Sequence, residues 1–177
     1  MNNHQTALSL ITPYGGKLIS LVVDKEKRAE LLARAINIPS YQLSERSMQD
    51  LELLATGAFS PLSTFMTRND YHRVIESMRL SNGTLFPIPI TLPLSNDRSI
   101  LKNKKITLRN QFNEIIAVMS VQDIYKRDFK KECQLVYGTT DPTHPMVSEM
   151  CHWPDYCVSG PIQVINLPHY YNFFNLR

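Results

Sequence analysis

Apolar positions along this chain follow helical and strand periods in irregular alternation. Behind a turn at Pro13-Tyr14-Gly15-Gly16, Lys17 to Val23 reads as a short strand. Ala29, Leu32, Ala33 and Ile36 then recur at helical spacing, with Asp24 as the cap and Asn37 and Pro39 as the stops. A second helix runs from a Ser44 cap to Ala55 and turns Met48, Leu51 and Leu54 or Ala55 inward. Gly57 takes the left-handed position that ends it. Ser60-Pro61 opens an irregular, largely apolar loop, and Asn69 or Asp70 starts a third helix through Met78.

Ser81-Asn82-Gly83 signals a tight turn. Phe86 to Leu92 reads as a strand, and its Pro87 and Pro89 confine it to an edge or a bulge because proline donates nothing to a ladder. Lys105–Arg109 and Glu114–Ser120 form a hairpin around Asn110-Gln111-Phe112-Asn113. Val121–Tyr125 reads as a turn of helix, Asp128–Tyr137 as a fourth helix and Pro145–Cys151 as a short fifth. Tyr156–Val158 and Ile162–Ile165 close the series as strands. Short strands mixed with helices, without regular βαβ spacing, predict an α+β domain built on a small barrel or curved sheet.

The 177 residues suit one domain with a real core, and 43% hydrophobic against 20% charged residues excludes disorder. A formal charge of +3, with no run of basic residues, gives nucleic-acid binding no support. Lys102, Lys104 and Lys105 read as a solvated turn before a strand. Lys126, Arg127, Lys130 and Lys131, alternating with Asp128 and Glu132, read as an exposed helical face. Met1 to Leu10 carries neither the basic nor the apolar segment of a secretory signal, and the longest apolar run, Leu18 to Val23, is far too short for a bilayer. With three cysteines, an odd number, the expectation is a reduced, cytosolic protein with no membrane partner.

Few segments suggest chemistry. Tyr14-Gly15-Gly16-Lys17 lacks the earlier glycine and the following Ser or Thr of a phosphate loop, and it leads into a strand rather than a helix, so a structural turn is the better reading. Cys151, His152 and Cys157 lack the second closely spaced pair that a structural zinc site needs. Of the histidines, His4 lies in the frayed start, His72 on an exposed helix face and His169 in the tail. His144 is the most interesting, set in a rigid loop with Thr139, Thr140 and Asp141. Those same groups make a self-capping turn into the helix at Pro145. The Phe59-Ser60-Pro61-Leu62 and Phe65-Met66 segment is too apolar for a solvent loop and either plugs the core or meets a partner.

Seven ordered blocks carry a resemblance. They are Pro13-x-Gly15-Gly16-Lys17-Leu18, Asp50 to Leu54, Phe59-Ser60-Pro61-Leu62, Met78-Arg79-Leu80, Leu85 to Leu92, Gly138-Thr139-Thr140-Asp141 and Gly160-Pro161-Ile162. In that order they resemble the amino-terminal domain of the ATP sulfurylases (sulfate adenylyltransferases), from about Pro13 to Arg177. The resemblance implies a PUA-like fold with a β-barrel and flanking helices over residues 13–177, behind a flexible segment of residues 1–12. Thr64 and Met146 stand where that family commonly has glycine. The family's Gln-x-Arg-Asn-Pro and His-x-x-His signatures are absent here: Arg68-Asn69 is followed by Asp70, and Arg109-Asn110 by Gln111.

No catalytic, cofactor-binding or metal-binding residue is therefore assigned to this chain. The resemblance implies that ATP and magnesium belong to a separate catalytic domain, which joins ATP and sulfate into adenosine 5′-phosphosulfate and pyrophosphate. These residues would scaffold that domain, in cis or in trans, or form a homo-oligomer contact. The alternative expectation is a stand-alone PUA-like module binding RNA or a small ligand.

Overall fold

The computed structural model describes residues 11–94 and 104–168. Most of the expected segment 1–12, together with Lys102, His4 and His169, lies outside them. The elements in order are α1 (Lys25–Ala35), β1 (Ser40–Gln42), α2 (Glu45–Thr56), α3 (Arg68–Ser77), β2 (Leu92–Leu94), β3 (Lys105–Arg109) and β4 (Ile115–Ser120). They continue with β5 (Asp123–Lys126), α4 (Phe129–Glu132, prolonged by a wider π turn over Cys133–Tyr137), α5 (Pro145–Met150), β6 (Tyr156–Ser159) and β7 (Ile162–Val164).

The strands form two sheets, ordered β1-β3-β4-β7 and β2-β6-β5. Among the described strand pairs only β1 and β3 are parallel. One antiparallel ribbon belongs to both sheets. β4 pairs with β7 through Ala117↔Val164, and the next strand, β5, pairs with β6 through Asp123↔Ser159. Between them Ser120 N donates to Pro161 O at 2.9 Å and Gln122 N to Ser159 O at 3.0 Å, so the ladder continues around the corner. Gly160 sits at that corner with φ of 152°, and a Cβ there would stand 1.9 Å from the Ser120 carbonyl oxygen. Only glycine lets the two backbones approach so closely.

This ribbon corrects one expectation. Val121–Tyr125 is not a helical turn, because Asp123–Lys126 is a strand held by β6. Two expected strands shrink. Within Lys17–Val23 only Val22 bridges, to Val164, since Ile19 N donates to Ser60 Oγ and Leu21 N to Ala55 O. Phe86–Thr91 makes no ladder, its two prolines having removed donors. Pairing begins at Leu92, and Pro93 is tolerated because β2 is an edge strand.

α2 forms as its sequence dictates. Ser44 Oγ accepts from Ser47 N at 3.1 Å, Met48, Leu51, Leu54 and Ala55 are buried, and Gly57 closes it at φ 86°. α3 starts earlier than expected because Thr67 is its cap: its hydroxyl accepts from Asp70 N and bonds the Asp70 carboxylate at 2.9 Å. α1 also differs. Asp24 makes no side-chain cap bond, and Ala29, Ala33 and Ile36 are exposed. The face turned inward is Leu31, Leu32 and Ala35, packed on Ile115, Val118 and Ile165 of the first sheet, with Thr107 Oγ1 donating to the Ala35 carbonyl at 2.9 Å.

The main core lies between the two sheets, α2, α3 and the 59–66 loop, and includes Leu51, Leu54, Phe65, Met66, Tyr71, Val74, Leu92 and Leu94. β4 is buried on both faces. Ile116 and Met119 meet this core while Ile115 and Val118 meet α1, which is why its sequence is apolar throughout. A smaller core of Cys133, Val147 and Met150 forms under α4 and α5, covered by Phe129, Tyr137 and Trp153.

Candidate functional site

The residues with most chemical potential sit where α2, α4 and the 150–155 turn meet. Arg127 and Glu132, read from the sequence as an exposed face, are both buried, with side chains 1% and 3% exposed. Glu132 falls inward because it shares the apolar face of Phe129, Cys133 and Val136 at helical spacing, the one sequence signal that could have placed it. Arg127 follows β5 rather than riding on the helix. Its Nη2 donates to the Met150 carbonyl at 3.0 Å, and its Nη1 stands 3.8 Å from Glu132 Oε2. Its guanidinium lies 5.5 Å from the Phe129 ring and 5.2 Å from the Trp153 ring. Tyr71 Oη donates to Glu132 Oε2 at 2.9 Å.

Burial raises the Glu132 carboxyl above its ordinary range, opposed by the Arg127 charge and the Tyr71 hydrogen bond. Burial, with the charge and hydrogen bond of Glu132, raises the Tyr71 phenol far above its own. A phenol, a carboxylate and a guanidinium could in principle move protons. Here all three are sealed in the interior, so their arrangement joins α3, β5 and α4 rather than facing a substrate.

On the solvent side of Trp153 lies a recess of about 180 Å³ lined by Tyr41, Ser44, Arg46, Thr91, His152 and Trp153 among others. The Arg46 guanidinium covers the Trp153 ring at 4.2 Å and pairs with Asp50 at 3.6 Å. Burial raises the Asp50 carboxyl, and Arg46 opposes that rise. Ser44 is engaged in capping, Tyr41 Oη donates to Pro93 O at 3.1 Å, and His152 Nδ1 meets Ser148 O at 2.8 Å. The recess is lined by the Arg46 cation, stacked on Trp153, and by the Tyr41 ring, groups suited to holding a small planar or anionic moiety rather than to breaking bonds.

The other sequence candidates are dispersed. The Tyr14-Gly15-Gly16-Lys17 segment is a turn closed by Gly16 N to Pro13 O at 2.8 Å, with Gly15 packed so tightly on Pro61 that a Cβ would come within 2.7 Å of it. In the 139–144 loop, Asp141 N donates to Thr139 Oγ1, and Asp141 Oδ1 accepts from Thr143 N at 2.8 Å, which lowers the Asp141 carboxyl below its ordinary range. His144 occupies the N-cap position of α5 without a side-chain cap bond, and its ring rests on Tyr137 at 5.4 Å. His72 is half-buried against Tyr71 at 5.3 Å rather than free on an exposed face. Cys133 and Cys157 are buried and Cys151 is exposed. Among the described residues no three His, Cys, Asp or Glu side chains converge as metal ligands.

The apolar 59–66 loop both plugs the core, through Leu62, Phe65 and Met66, and reaches the ribbon corner. Thr64 supplies that link. Its hydroxyl accepts from Gly160 N at 3.2 Å and donates to Gly160 O at 2.5 Å. Ser159 Oγ donates to Phe65 O beside it. Glycine at position 64 would lack this hydroxyl. Nothing local in the sequence marked the contact, because its partner is almost a hundred positions away.

Residues 11–167 match the model of the PUA-like domain family. The chain is 38% identical over 173 residues to the sulfate adenylyltransferase of Aspergillus terreus, covering 94% of this chain and 30% of that relative. It is 34% identical over 171 residues to the sulfate adenylyltransferase of Halothermothrix orenii, covering 95% of this chain and 45% of that relative. Among solved structures it is similar to a hexameric APS kinase from Thiobacillus denitrificans, with TM-score 0.71 and 31% identity over 95% of this chain and 29% of that one. The chain thus spans less than half the length of these relatives.

Proposed function

This chain belongs to the PUA-like domain family, and from that premise we propose that it is the non-catalytic amino-terminal domain of a sulfate adenylyltransferase. In this reading it scaffolds the catalytic domain, in cis or in trans, or an oligomer of it. That catalytic domain joins ATP and sulfate into adenosine 5′-phosphosulfate and pyrophosphate, with ATP and magnesium bound there. The observation that carries the reading is the lopsided match: nearly all of this chain aligns, at 38% and 34% identity, with only 30% and 45% of the two relatives. The fate of its polar groups agrees with it, since Arg127, Glu132 and Tyr71 are spent on holding elements together.

The two sheets joined by the bent ribbon support reading them as walls of the small barrel that the fold implies. The hexameric neighbour supports an oligomeric setting. Three free thiols, with no described helix long and apolar enough to cross a membrane, support a reduced cytoplasmic compartment.

The test is pyrophosphate release from ATP and sulfate. The chain alone is expected to release none, and a fusion in which it replaces the matched stretch of the Halothermothrix orenii enzyme is expected to be active. Turnover of sulfate by the isolated chain would sink the reading. Tight binding of mixed RNA, falling steeply with salt, would replace it with a nucleic-acid module.

A further inference from the structure

We propose that the recess beside Trp153 is a tetrahedral-oxyanion site, holding a sulfate or phosphoryl group on the Arg46 guanidinium and the Ser47 hydroxyl. This goes beyond the scaffold role, which leaves every ligand to the catalytic domain. The framing elements make the recess a place of donors. Ser44, Arg46 and Ser47 come from the start of α2, where the backbone N–H groups of Glu45 and Arg46 precede the helical ladder and have no acceptor among the described residues. That end of a twelve-residue helix carries positive potential. None of the residues lining the recess is acidic.

The side chains there are short of acceptors. Asp50 engages the Arg46 Nε at 3.6 Å, and neither Nη group of Arg46 has a hydrogen-bond acceptor among the described residues. Ser47 is 5% exposed and takes a hydrogen bond from Ser44 Oγ at 3.0 Å, so its own hydroxyl hydrogen is left without a described acceptor. A buried donor in that state costs free energy until something accepts from it.

A second guanidinium reinforces the field. Arg127 lies over the same Trp153 ring, and its buried Nε and Nη1 have no hydrogen-bond partner. Its counter-charge, Glu132, stands 3.8 Å away and, like Asp50, does not line the recess. Two cations thus share one ring, each with unused donors, beside an interior where charge is weakly screened. Shape then chooses among anions. Arg46 already covers the Trp153 ring on which a base would stack, and about 180 Å³ suits a compact ion that several donors can surround.

Trp153, the single tryptophan, reports on the site. Its fluorescence is followed as sodium sulfate, sodium phosphate, AMP, sodium acetate or sodium chloride is added to the chain at constant ionic strength. Melting temperature is not the readout, because sulfate raises it by exclusion from any protein surface. A saturable change with sulfate or phosphate is expected. Saturation by AMP as well assigns a phosphoryl group carried on a larger ligand, and its absence assigns the free ion. Arg46→Gln should weaken binding roughly tenfold or more. Ser47→Ala keeps the backbone cap bond to Ser44 and should also weaken it, with the melting temperature of the parent. A response that never saturates, or that chloride or acetate matches, overturns the proposal. So does saturation by AMP alone, or unchanged affinity in either variant. Pyrophosphate release by the fusion has no part in this readout, so the site and the scaffold role fail separately.

Discussion

Replacing Gly160 by alanine should be among the most damaging single-atom additions this fold can receive. The new methyl would sit 1.9 Å from the Ser120 carbonyl oxygen and 3.0 Å from Gln122 N. Contact between such atoms is ordinary only from about 3.4 Å, so the two strands must part by well over an ångström. That displacement breaks the corner of the ladder, Ser120 N to Pro161 O and Gln122 N to Ser159 O, and loosens Gly160 N from Thr64. At about 1 kcal/mol net for each of the two ladder bonds, and about 1–3 kcal/mol for the strained backbone, the loss is about 3–5 kcal/mol. For a chain of this size that lowers the melting temperature by roughly 10 °C. Urea unfolding followed by fluorescence of the single tryptophan, Trp153, measures it, with an unchanged denaturant slope expected. Gly16→Ala is the control: φ there is 85° but nothing lies within 4 Å, so it should cost only about 1 kcal/mol. If Gly160→Ala costs no more than the control, the corner yields freely and the account of the shared ribbon is wrong.

Removing either member of the buried pair, by Arg127→Met or Glu132→Gln, should cost about 3–5 kcal/mol because the other charge is left stranded. The double variant should cost clearly less than the sum, and additive losses in the same urea experiment would show that the two side chains are independent. Thiol labelling of the native chain should modify Cys151 at once and reach the buried Cys133 and Cys157 only on unfolding; rapid reaction of all three would contradict the burial described here. Burial raises the Cys157 thiol from 9.0 to about 12, so the folded state holds that proton more tightly than the unfolded one. Its contribution to stability is therefore complete below pH 9 and lost as pH rises toward 12, and a Cys157→Ala variant should show a shallower alkaline decline in melting temperature.

Much of the architecture was legible in the sequence because it is local. The Ser44 cap, the inward face of α2, the Gly57 terminus and the hairpin around Asn110–Asn113 each depend on residues a few positions apart, and each is where the pattern put it. What failed was decided at long range. Asp123–Lys126 is a strand because β6 offers it a ladder, and Lys17–Val23 is not one because its donors go to three different partners. The exposed-face reading of Arg127 failed for the same reason. A sequence shows that a charge is present, but only the packing of Phe129 and Trp153 around it, with Glu132 and Met150 O in reach, makes a dry place for it.

By itself, then, the sequence determined the helices, the hairpin and the kinship carried by ordered blocks such as Phe59-Ser60-Pro61-Leu62 and Gly160-Pro161-Ile162, since these are written in neighbouring residues. Tertiary structure alone decided that Gly160 is the corner joining two sheets, that Thr64 holds it, and that Tyr14 reaches the Leu85 carbonyl. Those facts depend on contacts between segments about 40 to 100 positions apart, where close approach, unlike periodicity, leaves no local trace.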